Sequence, residues 1–211
     1  MECGVLNRAA TADAGPMSGQ AGPRLLLHIC CAPDGTVPVL DLAAEGWDVR
    51  GFFYGSNIQP EDEYQRRLEA LRVLAGRTGL RAEEAPYAPE EWTKVMTERG
   101  LMGEPEGGRR CAACFALQFQ AAAEEAARLG CSRLCTTLTI SPHKDVERIN
   151  RIGAEIAASR GLTWEARIWR KQNGFLRSIK LSKEWGLYRQ SYCGCLPSRR
   201  LYSGPCALPA R

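Results

Sequence analysis

Residues 24–36 read RLLLHICCAPDGT. Apart from Arg24 and His28, the first six are apolar, a run of the kind found in strands buried on both faces of a parallel sheet. CCAPDGT then stands at the carboxyl end of that strand, with a helix expected over about 37–45 and a stop at Gly46. Working outward, DVRGFFY at 48–54 predicts a second strand. The helix over 61–77 opens after Pro60 with acids early and arginines late, which suits the helix dipole. A short strand is expected at 80–85 and a short helix from Pro89. A long helix begins with CAAC at Cys111, and RLCTTLT at 133–139 is a β-branched strand. SPHKD leads into another helix, TWEARIW reads as the last strand, and GFLRSIKLSKEWG as a final amphipathic helix. This alternation predicts an α/β fold: a doubly wound, mainly parallel sheet of about five strands with a helical C-terminal extension. Ligands in such sheets bind beyond the carboxyl ends of the strands, where the strand order reverses. CCAPD and SPHK both follow strands and are expected on that edge. Residues 1–23, rich in Ala, Gly, Ser and Pro without periodicity, are expected to be disordered. Residues 24–198 are expected to form one catalytic α/β domain, and 199–211 a tail.

The chain has 211 residues, a net charge of +4 and ten cysteines. The first residues lack the apolar core of a secretion signal, and no run approaches the roughly 20 apolar residues of a membrane helix. A cytoplasmic protein without a membrane partner is expected. In that compartment clustered cysteines point to metal or redox chemistry rather than disulfides. A charge of +4 does not by itself identify a nucleic-acid binder.

Three short runs concentrate the thiols: CCAPD with Cys30, Cys31 and Asp34, CAAC with Cys111 and Cys114, and YCGC with Cys193 and Cys195. Cys111 and Cys114, at i and i+3 of a helix start, share one face, and the helix N-terminus with Arg109 and Arg110 is expected to favour thiolates. A redox dithiol is the alternative for CAAC taken alone. Gly194 lets Cys193 and Cys195 turn towards one centre. Six thiols and a carboxylate exceed the four ligands of a tetrahedral zinc. A four-iron cluster uses up to four, leaving about three for a second metal or for open positions. Asp34 is a harder ligand than cysteine, so iron bound to it is more labile and able to act as a Lewis acid. Cys131 and Cys135 read as small core hydrophobes, and Cys3 and Cys206 as bystanders. His28 reads as a core histidine. His143, at a strand-to-helix turn, is a candidate for substrate contact or proton transfer, and Lys144 for phosphate binding at a helix N-terminus. Residues 160–189 carry eight Lys or Arg against two acids, interleaved with Trp164, Trp169, Phe175, Trp185 and Tyr188. That pattern suits a phosphate-tracking surface with stacking side chains.

LLLHICCAP at 25–33, FFYGSNIQPEDEYQRR at 52–67, EPEGGRRCAACF at 104–115, TTLTISPHK at 136–144 and GFLRSIKLSKEWGLYRQSYCGC at 174–195 together resemble the cobalamin-independent epoxyqueuosine reductases of the QueH family. The resemblance spans about 25–195. It implies reduction of epoxyqueuosine to queuosine at the wobble position of the tRNA anticodon, the last step of queuosine synthesis. It also implies a 4Fe-4S cluster with an additional mononuclear iron and a fold like the adenine-nucleotide α-hydrolase (HUP) domains. The metal ligands it implies are Cys30, Cys31, Cys111, Cys114, Cys193 and Cys195, with Asp34 as a seventh. On this reading Asp34, His143 and Tyr192 are candidate proton donors, and Lys144, Arg177, Lys180, Lys183 and Arg189 candidate tRNA contacts. An external electron donor such as ferredoxin or flavodoxin is required. Two alternatives remain at this stage. One is an iron–sulfur tRNA sulfur transferase of similar fold, which would need ATP although CCAPDGT replaces the usual SGGxDS-like phosphate loop. The other is a metal-binding module without enzymatic activity.

Overall fold

A computed structural model describes residues 22–202. Five strands, β1 (Arg24–His28), β2 (Asp48–Phe53), β3 (Arg81–Glu84), β4 (Arg133–Thr136) and β5 (Thr163–Trp164), form one sheet in the order β3-β2-β1-β4-β5. Every neighbouring pair is parallel. Seven helices accompany it: α1 (Ala32–Ala44), α2 (Glu61–Thr78), α3 (Pro89–Glu98), α4 (Arg109–Arg128), α5 (Val146–Ser159), α6 (Gly174–Glu184) and α7 (Leu196–Tyr202). The strand order reverses beside β1, which pairs with β2 on one side and β4 on the other.

The pleat of β1 explains why both faces must be covered. Leu25 and Leu27, with Ile29 just beyond the strand, pack with Val37 and Leu42 of α1 and Leu71 and Leu74 of α2. Leu26 points the other way, with Phe52 and Leu134, against Ala122, Ala123 and Ala126 of α4. Helices therefore cover both faces, as a doubly wound sheet requires. Cys135 and Cys131 lie in these two clusters, one in each. His28 is buried, with Nδ1 2.9 Å from the Thr136 hydroxyl and its ring edge-on to Phe119. Burial pushes its pKa down to about 3, so it is a neutral core residue.

Three boundaries differ from the expectation. The first helix starts at Ala32, not near 37, because Pro33 suits a first turn whose N–H groups need no partner. Asp34 is therefore a first-turn residue rather than part of a loop. β4 ends at Thr136 instead of running to 139. The Thr136 hydroxyl accepts the Leu138 N–H at 3.2 Å, and residues 138–140 turn as a 3-10 helix. The last strand shrinks to two residues for a connected reason. After Glu165 N donates to Leu134 O, β4 offers no further ladder, and the Trp169 indole takes the Thr136 carbonyl at 2.9 Å. α7, directly after Cys195, was not anticipated. Residues 1–21 with Cys3 and 203–211 with Cys206 lie outside the described residues, so the expectations for both termini fall largely there.

Candidate metal centre

The reversal of strand order opens a crevice beyond β1 and β4, and all three cysteine runs reach it. Cys30 leaves β1 directly. Its N–H donates to the Thr137 hydroxyl beyond β4 at 3.2 Å, and its sulfur lies 3.4 Å from the same oxygen. Cys31 adopts an extended backbone as the N-cap of α1, which turns Asp34 back towards Cys30. The Cys30 and Cys31 sulfurs are 4.0 Å apart, and Cys30 Sγ is 3.6 Å from Asp34 Oδ2. All three ligand atoms lie within 4.8 Å of one another, the one group among the described residues compact enough for a single ion.

Cys111 and Cys114 occupy the first two turns of α4 on its buried face. The Gly107 N–H donates to Cys111 Sγ at 3.2 Å. Cys114 Sγ accepts from the Trp92 indole at 3.3 Å and from the Gln118 amide at 3.1 Å. Cys193 and Cys195 arrive on a segment without helix or strand, turned by Gly194 at φ 142°. Lys144 reaches Cys193 Sγ at 3.4 Å and lies over the Phe115 ring. A cavity of about 330 Å³ is lined by Cys30, Asp34, Cys111, Cys114, Cys193 and Cys195. Cys31 stands behind Cys30, and its sulfur accepts the Gln190 amide at 2.9 Å.

The electrostatics of this cavity suit a cation. Burial raises the Cys111 and Cys114 thiols, with neighbouring cysteine sulfurs adding to the effect. Cys30 is raised well above the usual thiol range by its contact with Cys31 and by burial. Asp34 is raised by burial, tempered by Arg189. Burial disfavours the Lys144 ammonium, but Cys193 and Cys30 hold its pKa above the ordinary value. The sulfurs nonetheless meet N–H donors: Gly107, Trp92, Gln118, Gln190 and Lys144. Donors of this kind complement sulfur anions, which burial alone disfavours. A bound cation reconciles the two, and the donor set of six sulfurs and one carboxylate fits iron or an iron–sulfur cluster.

That result corrects one expectation. Arg109 is engaged elsewhere, and the Arg110 charge favours the Cys111 thiolate without outweighing burial, so the CAAC thiols are raised rather than lowered. Arg109 pairs with Glu104 at the surface. Arg110 turns its guanidinium to the carbonyls of Met102 and Glu104, and desolvation dominates at Cys111.

The other candidate residues separate. His143 is exposed at the cavity rim, and Arg189 also lines it with its guanidinium over the Phe175 ring. Tyr192 lines the cavity, but its hydroxyl donates to Gln59 O at 2.6 Å. Lys144 does precede the Asp145 N-cap of α5, but its ammonium turns into the cavity to Cys193. Lys180 and Lys183 are exposed on α6 away from it. Arg177 is there too, but Asp41 neutralises it at 2.7 Å. Sequence reasoning missed Trp92, Gln118, Gln190 and Thr137. Gln118, four residues after Cys114 on the same helical face, had a readable signal. Trp92 and Gln190 join their sulfurs only through the tertiary fold.

The family profile described as "Epoxyqueuosine reductase QueH" matches residues 25–200. The chain is 36% identical over 185 residues to an "Epoxyqueuosine reductase QueH" of Streptococcus pyogenes serotype M1, covering 85% of this chain and 71% of that protein. It is 35% identical over 175 residues to one of Thermotoga maritima, covering 82% and 88%. Among solved structures, the U34-tRNA thiolase NcsA from Methanococcus maripaludis, determined with its [4Fe-4S] cluster, aligns with a TM-score of 0.53. The identity is 11%, over 86% of this chain and 63% of that one, so the likeness concerns the fold alone. With the profile spanning nearly all the described residues and relatives above 30% identity over most of both chains, this chain belongs to the epoxyqueuosine reductase QueH family.

Proposed function

We propose that this chain, with residues 24–198 as its catalytic unit, reduces epoxyqueuosine to queuosine at the wobble position of a tRNA. The observation that carries this reading is the cavity at the sheet's switch point, ringed by residues of all three cysteine runs and Asp34. Cys111, Cys114, Cys193 and Cys195 hold a 4Fe-4S cluster. Cys30, Cys31 and Asp34 hold a mononuclear iron, a division supported by the compactness of that second group. When bound, these groups supply single-electron transfer and a Lewis acid for oxygen.

The reaction takes two electrons and two protons. Both epoxide C–O bonds break, an alkene forms and the oxygen leaves as water. The chain's own residues exclude solvent, orient the substrate and deliver protons. Asp34, as an iron ligand, acts as a carboxylate beside the Cys30 sulfur rather than as a proton store. His143 at the rim is suited to relay protons from solvent. The Tyr192 hydroxyl, engaged with Gln59, serves as a tie rather than a donor. The Lys144 ammonium stabilises negative charge inside the cavity. Phe175 with Arg189 above it offers a stacking face at the mouth for a base swung out of the anticodon loop. Lys171, Lys180, Lys183 and Arg189 make no ion pair among the described residues and are placed to follow the tRNA backbone. Ferredoxin or flavodoxin supplies the electrons in the cytoplasm. ATP-dependent sulfur transfer needs a glycine-rich phosphate cradle after β1, where Cys30, Cys31 and Pro33 stand instead.

The test is anaerobic incubation of iron- and sulfide-reconstituted protein with dithionite and epoxyqueuosine tRNA, followed by nucleoside mass analysis. Loss of one oxygen from the modified nucleoside is expected. An unchanged nucleoside, with metal fully bound, contradicts the proposal.

A further inference from the structure

The three cysteine runs are not held equally. Cys111 and Cys114 are fixed by α4, and Cys30 and Cys31 by the junction of β1 and α1. Cys193 has no such support, because the segment after α6 up to Cys195 forms neither helix nor strand, and Cys195 is held from one side only, where its carbonyl accepts the Ser198 N–H and hydroxyl at the start of α7. Something else must fix the approach to these two sulfurs.

A buried guanidinium touches that segment. Arg67 on α2 is 2% exposed, as is its partner Glu63, whose Oε1 accepts from Arg67 Nε at 2.8 Å. The two remaining guanidinium nitrogens donate to the carbonyls of Cys193 at 2.9 Å and Tyr192 at 3.0 Å. The next carbonyl, of Gly194, accepts the Gln59 N–H at 2.9 Å. Three successive carbonyls of YCGC are thus bound by donors between Gln59 and Arg67. Glu63 is oriented from outside by the Tyr188 hydroxyl at 2.7 Å and by Arg66 at 3.0 Å. A Cβ on Gly194 would come within 3.3 Å of Arg67 Nη1, so the turn packs on the guanidinium itself.

Stability does not account for this arrangement. Desolvating both ions costs as much as their attraction returns, and apolar residues of equal volume commonly serve as well. What apolar residues cannot do is bind two consecutive carbonyls in one fixed geometry. The planar fork of arginine does so.

We infer that Arg67, oriented by Glu63, is a positioning residue that presets Cys193 and Cys195 for metal before any metal arrives. The inference rests on the reading of those two cysteines as ligands. Arg67 stands in the cavity wall with its guanidinium nitrogens committed to Glu63 and the two carbonyls, and it acts through the backbone of the loop.

The experiment compares wild type and Arg67→Lys as full-length protein. In the metal-free state, alkylation rates are read at Cys193, Cys195, Cys111 and Cys114 by peptide mass spectrometry. In the reconstituted state, iron release to a chelator and the cluster's absorption spectrum are followed anaerobically. Lysine keeps the charge but cannot grip both carbonyls. Alkylation at Cys193 and Cys195 is expected to rise about tenfold, the effect of losing one buried charged hydrogen bond, while Cys111 and Cys114 stay near wild type. Iron release is expected to quicken by a similar factor. Equal acceleration at all four cysteines, which a general loss of stability produces, overturns the inference, as does no change at any. If Arg67→Lys does not fold, Tyr188→Phe removes one of the two outer supports of Glu63 and leaves Arg66 in place. The same selective pattern is then expected with a smaller ratio, and equal rates at all four sites overturn it. If iron loading of wild type fails to shield Cys193 and Cys195, the ligand reading falls separately, because the metal-free comparison does not depend on it.

Discussion

A buried sulfur takes its character from its nearest donors, and Cys114 illustrates how specific that environment is. Its sulfur receives N–H groups from Trp92 and Gln118 while burial raises its thiol pKa. Trp92→Phe keeps most of the volume and removes one donor. The expected result is a loss of about 1 kcal/mol in urea unfolding, together with a lower cluster reduction potential by anaerobic titration, since hydrogen bonds to sulfur favour the reduced cluster. Asp34→Asn removes the only anionic oxygen of the compact group. Roughly one iron fewer per chain is expected by metal analysis, with cluster absorbance retained. At this scale the seven candidate positions could be picked out, because CxxC, CxC and adjacent cysteines are local patterns, and six of them line one cavity. The residues that support them were not. Gln190 meets Cys31 across 159 positions of sequence, and Arg67 meets Cys193 across 126, separations that no spacing rule encodes.

The elements were legible where hydrophobic period and punctuation agreed. α2 and α4 lie within a residue or two of expectation, since long apolar periods and flanking Pro or Gly mark their limits. Errors arose where a side chain redirected the backbone. Thr136 ended β4 with its own hydroxyl, and Pro33 started α1 five residues early. α5 shows a different constraint. Gly153 faces Trp164 of β5 so closely that a Cβ would lie 2.3 Å from the indole. That indole also donates to Asn150 at 3.0 Å and packs on Phe119. Gly153→Ala is expected to cost about 1–3 kcal/mol by overpacking, read as a lower urea midpoint with an unchanged slope.

Across the whole molecule, the parallel order β3-β2-β1-β4-β5 brings residues 30, 111 and 193 to one edge, and the sequence pattern anticipated both the fold and that edge. Charge was harder to read. Of the basic residues in 160–189, Arg160, Arg167 and Arg177 are each paired with a distant carboxylate, Glu124, Glu45 and Asp41. The unpaired surface is therefore smaller than composition implied. If it follows the tRNA backbone, changing Lys180 and Lys183 to alanine lowers the slope of log affinity against log salt by about 1 for each phosphate that is no longer neutralised. Arg177→Ala, already neutralised by Asp41, leaves the slope unchanged. No helix among the described residues is long and apolar enough to cross a membrane. The central claim is that three distant cysteine runs and Asp34 make one iron–sulfur centre. Its most direct test is anaerobic determination of iron, sulfide and zinc on the reconstituted protein. About five irons and four sulfides per chain are expected; stoichiometric zinc without sulfide would contradict the account.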